Sequence, residues 1–444
     1  MRKTKIICTI GPATSSFDML AKLQEVGLDV VRLNMSHGDH DSHAKVIKAI
    51  RTLNRKIRRP VPIMIDTQGP EIRTGNLCQD LDLKDGDVVS IVARSVENVE
   101  ETSISINYED LIQDVNIGDR ITVDNGLINL EVLSKQERIM QCRVIDGGVL
   151  KSKRHVNLPG IRVNLPAIDV RQMRELLGDK AGKIKVIAKI EDQEGVRNIT
   201  EIIREADGIM VARGDLGVEV NVQDLPNIQR NIVRLCAVMG KRVIVATHLL
   251  ESMIENPIPT RAEVTDVANA VYEGVDAVML SGETTVGKYP LKCVQYLDQI
   301  ARASERTPGL QFSRELVRNT DKQQIAAAAA ELADSLHARG IVVITRRGLM
   351  ANYVTNCHQQ VPILAFTNDG RTRRQLALNR NLLSYRITFS SNPEKTLSHA
   401  FGILLAEEGY ADSDKVVVIS DILVGGAAID AIQIRRLGQI RPYE

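Results

Sequence analysis

Most of this chain repeats one unit, a short unbroken apolar run followed by a helical pattern. Runs at residues 6–10, 30–33 and 62–65 are separated by stretches 18–26 and 43–53, whose apolar residues recur at helical spacing. Apolar runs this short and continuous read as strands buried on both faces, which in soluble folds are parallel strands covered by helices. The unit returns later, with strands expected at 185–190, 208–212, 243–247 and 277–280. One helix between them is well marked. Thr260 and Glu263 form a capping box, Val264, Val267, Ala268 and Val271 form an apolar face, and Gly274 is a stop. The reading is a TIM (β/α)8 barrel, with a doubly wound sheet as the alternative.

The barrel pattern is interrupted once. From 76 to 150, strand-like runs at 88–92, 102–106, 120–123, 127–133 and 139–145 are separated by Asp85-Gly86, Asn125-Gly126 and Asp146-Gly147. These are hairpin signals, and the block reads as a small inserted β lid. A polar stretch with Pro308 and Gly309 then precedes four further β/α units, with strands near 341–344, 363–366, 385–388 and 416–419. The expected domains are a barrel at 1–74 and 155–306, a lid at 75–154, a linker at 307–324, and a C-terminal open α/β domain at 325–444.

Composition excludes several functions. Lys plus Arg number 57 and Asp plus Glu 56, so no global basic field for nucleic acid exists. Trp is absent and aromatics are 3%, which leaves no stacking platform for bases. No apolar run approaches a bilayer-spanning length, and strand-like sequence already begins at Lys5, so neither a membrane nor a leader segment is expected. Six scattered cysteines without a CxxC pair read as reduced thiols in a cytoplasmic protein.

Polar residues gather at the expected carboxyl ends of the barrel strands, where a barrel places its active site. They are Arg32, Asn34, Ser36 and His37; Asp66, Thr67 and Arg73; Lys189 and Glu191; Arg213, Gly214 and Asp215; Thr247; and Ser281 and Glu283. The arginines and lysine imply an anionic substrate carrying phosphate or carboxylate. Two carboxylates from separate strands, Glu191 and Asp215, imply a hard cation such as Mg2+. No Ser/His/Asp order or metal-type His cluster is present, so acyl transfer and zinc hydrolysis are poorly supported.

The motifs Thr9-Ile10-Gly11-Pro12, Arg32-Leu33-Asn34-Met35-Ser36-His37-Gly38, Asp66-Thr67-Gln68-Gly69-Pro70-Glu71-Ile72-Arg73 and Asn157-Leu158-Pro159-Gly160 resemble the pyruvate kinase family. So do Ala188-Lys189-Ile190-Glu191, Met210-Val211-Ala212-Arg213-Gly214-Asp215-Leu216-Gly217, Glu251-Ser252-Met253, Pro259-Thr260-Arg261-Ala262-Glu263 and Met279-Leu280-Ser281-Gly282-Glu283-Thr284. The likeness runs the whole chain in the family's order. It implies phosphoryl transfer from phosphoenolpyruvate to ADP, giving pyruvate and ATP. It implies Mg2+, or Mn2+ in its place, on Glu191 and Asp215, with Lys189 at the transferring phosphoryl group. Arg32 and Arg73 go to the phosphate side, and the backbone N–H groups of Gly214 and Asp215 to the substrate carboxylate. Asn34, Ser36, Asp66 and Thr67 match the K+ site, and Glu71 the position that goes with K+ dependence. His37, Arg73 and Arg154 fall on the nucleotide side. Thr247, with Ser281 and Glu283, belongs to the relay that protonates the enolate. The family also implies a homotetramer. Plainer roles stand beside these: His37 as a loop hydrogen-bonder, Ser281 satisfying backbone at a helix start, and Asn34, Ser36 and Thr67 as turn residues.

The pattern departs from the family in places. After Asn164-Leu165-Pro166-Ala167-Ile168 the chain runs straight into Asp169-Val170-Arg171, where the family carries a further helix and a barrel strand. Either this stretch is absent from the sequence as given and present in the natural chain, or the protein is deleted there and is an inactive metabolite-binding homologue. Asp192, His248 and the hinge pair Arg154-His155 replace usual Asn, Gln and Lys-Gly. In the C-terminal domain, Leu349 and Met350 stand where hydroxyl donors would hold a sugar phosphate, which counts against fructose 1,6-bisphosphate as an effector.

Overall fold

The computed structural model describes residues 1–67, 72–93, 103–124, 126–161, 170–424 and 427–439, with backbone alone at 421–424 and 427–428. The catalytic-size domain begins with the parallel strands β1 (Lys5–Thr9), β2 (Val30–Asn34) and β3 (Ile63–Asp66). The lid follows, with β4 (Leu81–Leu83), β5 (Val88–Ala93), β6 (Ser103–Ile106), β7 (Arg120–Val123), β8 (Ile128–Lys135), β9 (Ile139–Asp146), β10 (Gly148–Leu150) and β11 (Val156–Asn157). The parallel sheet resumes with β12 (Ile187–Ile190), β13 (Gly208–Ala212), β14 (Arg242–Ala246) and β15 (Ala277–Leu280).

These parallel strands make one curled sheet in the order β12-β13-β14-β15-β1-β2-β3. Along β1, Ile7 turns inward to join Val30, Met210, Ile244, Ala246, Ala277 and Met279 in the barrel's centre. Its neighbours Ile6 and Cys8 turn outward against the helices. The period of two therefore supplies both the inner and the outer core.

Among the described residues the sheet has seven strands, and β3 and β12 are its two ends with no ladder between them. Between β11 and β12 the described residues supply only the helix Val170–Leu177 and the turn Gly178–Lys180. The sequence break expected at Ile168–Asp169 lies outside the described residues.

The lid is a six-stranded sheet in the order β11-β7-β8-β9-β5-β6, with β4 and β10 paired beside it. Its separators behave as turns: Gly86 and Gly126 take φ of 88° and 87°, which glycine adopts at little cost. The capping box at Thr260 and Glu263 is present, and Gly274 ends that helix at φ 87°. The buried face is Val267, Ala270 and Val271, rotated from the expected one, so Val264 faces solvent.

The C-terminal domain opens earlier than expected. Thr320 and Gln323 form a capping box for the helix Asp321–Ser335, inside the stretch read as linker. Its strands β16 (Gly340–Ile344), β17 (Ile363–Thr367), β18 (Leu382–Arg386), β19 (Lys415–Val424) and β20 (Ala427–Arg436) order as β18-β17-β16-β19-β20. β18 lies upstream of its expected position because Leu382 and Ser384 extend the buried run. β20 was not expected. It is antiparallel to β19, and Ile429 and Ile434 stand exposed on it. Helices cover both faces, giving two separate apolar layers. The two domains are tied by Lys5 Nζ to Leu382 O at 2.9 Å and by Arg242, which bonds Asp276, Asn352 O and Asn356.

Candidate functional site

The mouth is built from loops that lock onto one another. The Thr9–Pro12 motif packs against the loop after β15: Thr14 Oγ1 donates to Thr284 O at 2.7 Å, and Thr284 Oγ1 to Thr9 O at 2.8 Å. Gly11 is required there, since a Cβ would meet Thr285 backbone at 2.8 Å. Glu283 joins two loops by accepting the N–H of Ser281 at 2.8 Å and of Leu250 at 3.1 Å. Its burial raises its pKa, against the pull of those N–H donors. Ser281 Oγ is buried without a hydrogen-bond partner.

On the opposite rim, β12 delivers Lys189 and, one residue past its end, Glu191. Their side chains meet at 2.7 Å, and Lys189 Nζ reaches Asp66 Oδ1 at 4.0 Å. Burial alone would lower the Lys189 pKa, but Glu191, Asp66 and Asp215 together raise it, so the amine is held protonated. Burial raises the Glu191 pKa, Lys189 opposes this, and Asp215 and Asp66 add to it. The charge of Asp215 thus repels that of Glu191. Hard oxygen donors of this kind fit a divalent cation completed by substrate and water oxygens. Among the described residues no group of three or more His, Cys, Asp or Glu forms a full metal cage.

Arg32 is turned inward. It donates to Asp66 through Nε at 2.9 Å and through Nη2, and to Thr9 Oγ1 at 2.9 Å. Asn34 and Asp66 are register partners on β2 and β3, which sets their side chains beside each other. Asn34 Oδ1 accepts the Ser36 N–H at 3.1 Å, while Thr67 is exposed. His37 is exposed on the same loop, with its carbonyl 2.8 Å from the His43 ring. Arg73 and Arg154 lie at the lid hinge. Arg73 Nη1 donates to Lys153 O at 3.0 Å, and Arg154 Nη1 is 3.5 Å from Asp124.

Two arrangements were not foreseen. Arg213, expected among the anion-binding arginines, is buried and pins the Thr247 loop. It pairs with Asp266 at 2.7 Å and donates to Thr247 O at 2.7 Å and His248 O at 3.2 Å. Thr247 and His248 are held at φ 66° and 52°, a conformation costly for a β-branched residue. In that pose Thr247 Oγ1 accepts the Gly214 N–H at 2.7 Å. Second, Asn157 Nδ2 donates to Glu219 Oε1 at 2.9 Å, linking the lid strand β11 to the helix Arg213–Glu219 that carries Asp215. The clue to the first was Asp266 itself, a carboxylate on a helix whose other marks were all read as capping and packing.

The pyruvate kinase barrel-domain family model matches residues 1–171 and 167–294, and the family's alpha/beta-domain model matches 323–434. The chain belongs to the pyruvate kinase family. It is 40% identical to the pyruvate kinase of Geobacillus stearothermophilus over 485 residues, covering 96% of this chain and 82% of that one. It is 39% identical to the chloroplastic pyruvate kinase isozyme G of Nicotiana tabacum, covering 94% and 80%. A crystal structure of a pyruvate kinase from Cryptosporidium parvum superposes with a TM-score of 0.88 at 33% identity, covering 98% of this chain and 96% of that one. The chain is thus a pyruvate kinase in fold and in reaction, moving the phosphoryl group of phosphoenolpyruvate and leaving pyruvate, a step of glycolysis. The two barrel-domain matches meet at 167–171, where the sequence departs from the family. Among the described residues no helix is long and apolar enough to cross a membrane.

Proposed function

We propose that Lys189, Glu191, Asp215 and Thr247 carry the transfer of the phosphoryl group to ADP, with Mg2+ and K+ as cofactors. The observation behind this is the Lys189–Glu191–Asp66 cluster, in which a protonated amine stands among carboxylates at the strand ends. In-line phosphoryl transfer asks mainly for charge neutralisation and positioning. Lys189 supplies fixed positive charge where negative charge develops. Arg32, already aligned by Asp66, turns its remaining donor capacity to the phosphate. Arg73, Arg154 and His37 approach from the lid and loop on the nucleotide side.

Glu191 and Asp215 would hold Mg2+, or Mn2+, whose charge would relieve their mutual repulsion. When bound, such a cation would supply charge neutralisation to the anionic substrate. Asn34, Ser36, Asp66 and Thr67 would hold K+. Gly214 N–H, held by Thr247 in this structure, exchanges that hydroxyl for the substrate carboxylate, which frees the Thr247 hydroxyl to face the enolate. Ser281 and Glu283 support the relay behind it. A coupled assay for pyruvate from phosphoenolpyruvate and ADP, with each cation omitted in turn, tests the assignment. Transfer that survives EDTA would refute it.

The chain further works as a cytoplasmic homotetramer on this reading. Its six free cysteines suit a reducing compartment, and the exposed isoleucines of the edge strand β20 suit burial against another copy. Light scattering of the purified protein checks the assembly.

A further inference from the structure

The helix Arg213–Glu219 is held from two sides at its carboxyl end. The lid supplies one hold. Asn157 Nδ2 donates to Glu219 Oε1 at 2.9 Å, and Gly126, in the turn between β7 and β8, lies beside Val218, where an added Cβ would stand 4.0 Å from Cγ1. The barrel supplies the other. Gln193 Nε2 donates to Glu219 O at 2.5 Å, and Asp192 places Gln193 by capping the helix Gln193–Arg197 through the Gly195 N–H at 2.7 Å. Asp192 and His155, two of the positions that depart from the family's usual residues, thus converge on Glu219. His155 Nδ1 is 3.1 Å from Asn157 Oδ1. That oxygen can only accept, so the ring donates from Nδ1 and fixes the amide with its Nδ2 toward Glu219. Asn157 is itself buried and is paired with Thr122 in the lid sheet.

A carboxylate is poorly placed at this point. It ends a helix, where the backbone dipoles disfavour negative charge. Burial raises its pKa, the Asn157 hydrogen bond opposes this, and the charges of Asp192 and Asp215 add to it against that of His155. What the charge gains is a stronger bond to the amide that reaches it from the lid, since an ionised acceptor shortens and strengthens a hydrogen bond. We propose that Asn157 is a positioning residue: by gripping Glu219 it lets the docked lid set the helix Arg213–Glu219, and with it Asp215, for the divalent cation. This rests on the reading of Asp215 as a cation ligand. Glu219 follows Asp215 by four residues, about one turn along the same helix, so a shift at one is carried to the other. A cation ligand tolerates displacement of only about 0.2 Å, so a small loosening of this tie reaches the metal. The lid thereby acts on the cation without contributing a ligand to it.

The test titrates Mn2+ alone into the full chain and reads the free ion by electron paramagnetic resonance. Asn157→Asp sets a second carboxylate against Glu219 and is expected to weaken Mn2+ binding about 10-fold, the low end for residues that orient a metal ligand. Negative charge added without any change of position would tighten cation binding, so the direction of the change separates the two effects. Asn157→Asp combined with Glu219→Gln restores one donor and one acceptor in reversed order at the parent's total charge, and is expected to return the affinity to within a few-fold of the parent. Should Asn157→Asp fail to fold, Asn157→Ala removes the amide without adding charge and is expected to weaken Mn2+ binding by a similar factor. Parental or tighter binding in the single variant overturns this inference alone, as does a double variant no better than Asn157→Asp. Parental Mn2+ affinity in Asp215→Asn overturns the reading of Asp215 and this inference with it.

Discussion

Lys189 Nζ and Asp66 Oδ1 stand 4.0 Å apart although the strands that carry them, β12 and β3, share no backbone ladder among the described residues. Among the described residues it is side-chain charge, rather than sheet bonding, that links these two strands. The lysine is held protonated by three carboxylates and by one of them directly, so its positive charge is in place before substrate arrives. Lys189→Met is expected to lower kcat by ~100-fold or more while KM changes little, the signature of an interaction made in the transition state. Steady-state kinetics on the variant decide it, and a kcat within a few-fold of the parent removes Lys189 from the role.

Asp66 also anchors Arg32, and both side chains are nearly buried. Asp66→Asn keeps one acceptor and removes the charge, leaving the guanidinium without its counter-ion. The expected cost is about 1.5–3 kcal/mol of stability, the range for hydrogen bonds to charged groups. Urea denaturation measures it. An unchanged midpoint would mean solvent or another acceptor already neutralises Arg32.

The same residue belongs to the proposed K+ site with its register partner Asn34. Replacing K+ with Na+ is expected to lower activity strongly. Glu71→Lys, at the family position tied to K+ dependence, supplies a fixed charge nearby and is expected to relax the requirement. A K+ titration of parent and variant checks both. Full parental activity in Na+ alone would show that Asn34, Ser36, Asp66 and Thr67 are ordinary turn residues.

Much of this arrangement was legible where function and local rules agree. Thr260, Glu263 and Gly274 obey capping chemistry, and the helix they bound lies where they put it. A parallel barrel gathers its strand ends at one mouth, and the strand-end residues Lys189, Glu191 and Asp66 do meet there as ion pairs. Arg213 was misread because a guanidinium suits a phosphate and a half-buried carboxylate equally well. Its choice of Asp266 depends on the packing of a helix far along the chain. β20 went unseen because its ladder with β19 is a tertiary fact, and its own run of Ile, Gln and Arg alternates too weakly to announce a strand. Among the described residues β3 and β12 share no ladder, and this falls where the sequence lacks the further helix and barrel strand that the family carries after Ile168.

Thr247 stores strain in the service of position. At φ 66° a β-branched residue pays about 1–3 kcal/mol, which Arg213 offsets by holding the loop carbonyls. Thr247→Val preserves shape and removes the hydroxyl that receives the Gly214 N–H. The expected loss in kcat is roughly 10–100-fold, equivalent to about 1.4–3 kcal/mol of barrier. Thr247→Ser is expected to recover most of it. If Val and Ser behave alike, the hydroxyl is dispensable and the residue acts through backbone geometry alone.

The joint between barrel and C-terminal domain carries a titratable group in a hostile place. His358 sits at φ 51°, with its ring against Gly274, where an added Cβ would lie 3.3 Å away. Burial, then the charges of Arg380, Arg242 and Lys3, hold its pKa well below the ordinary imidazole value. The folded chain therefore refuses a proton that the unfolded chain accepts near pH ~6.5. Stability from this group is full above the unfolded pKa and is lost as pH falls through and below it, because the unfolded state then binds more protons. The denaturation midpoint is expected to drop as pH is lowered from about 7.5 to about 5.5, a window centred on the unfolded imidazole. His358→Asn, a residue that tolerates the left-handed backbone, is expected to flatten that slope. The two pH profiles run side by side settle it: parallel slopes would place the acid sensitivity elsewhere in the molecule.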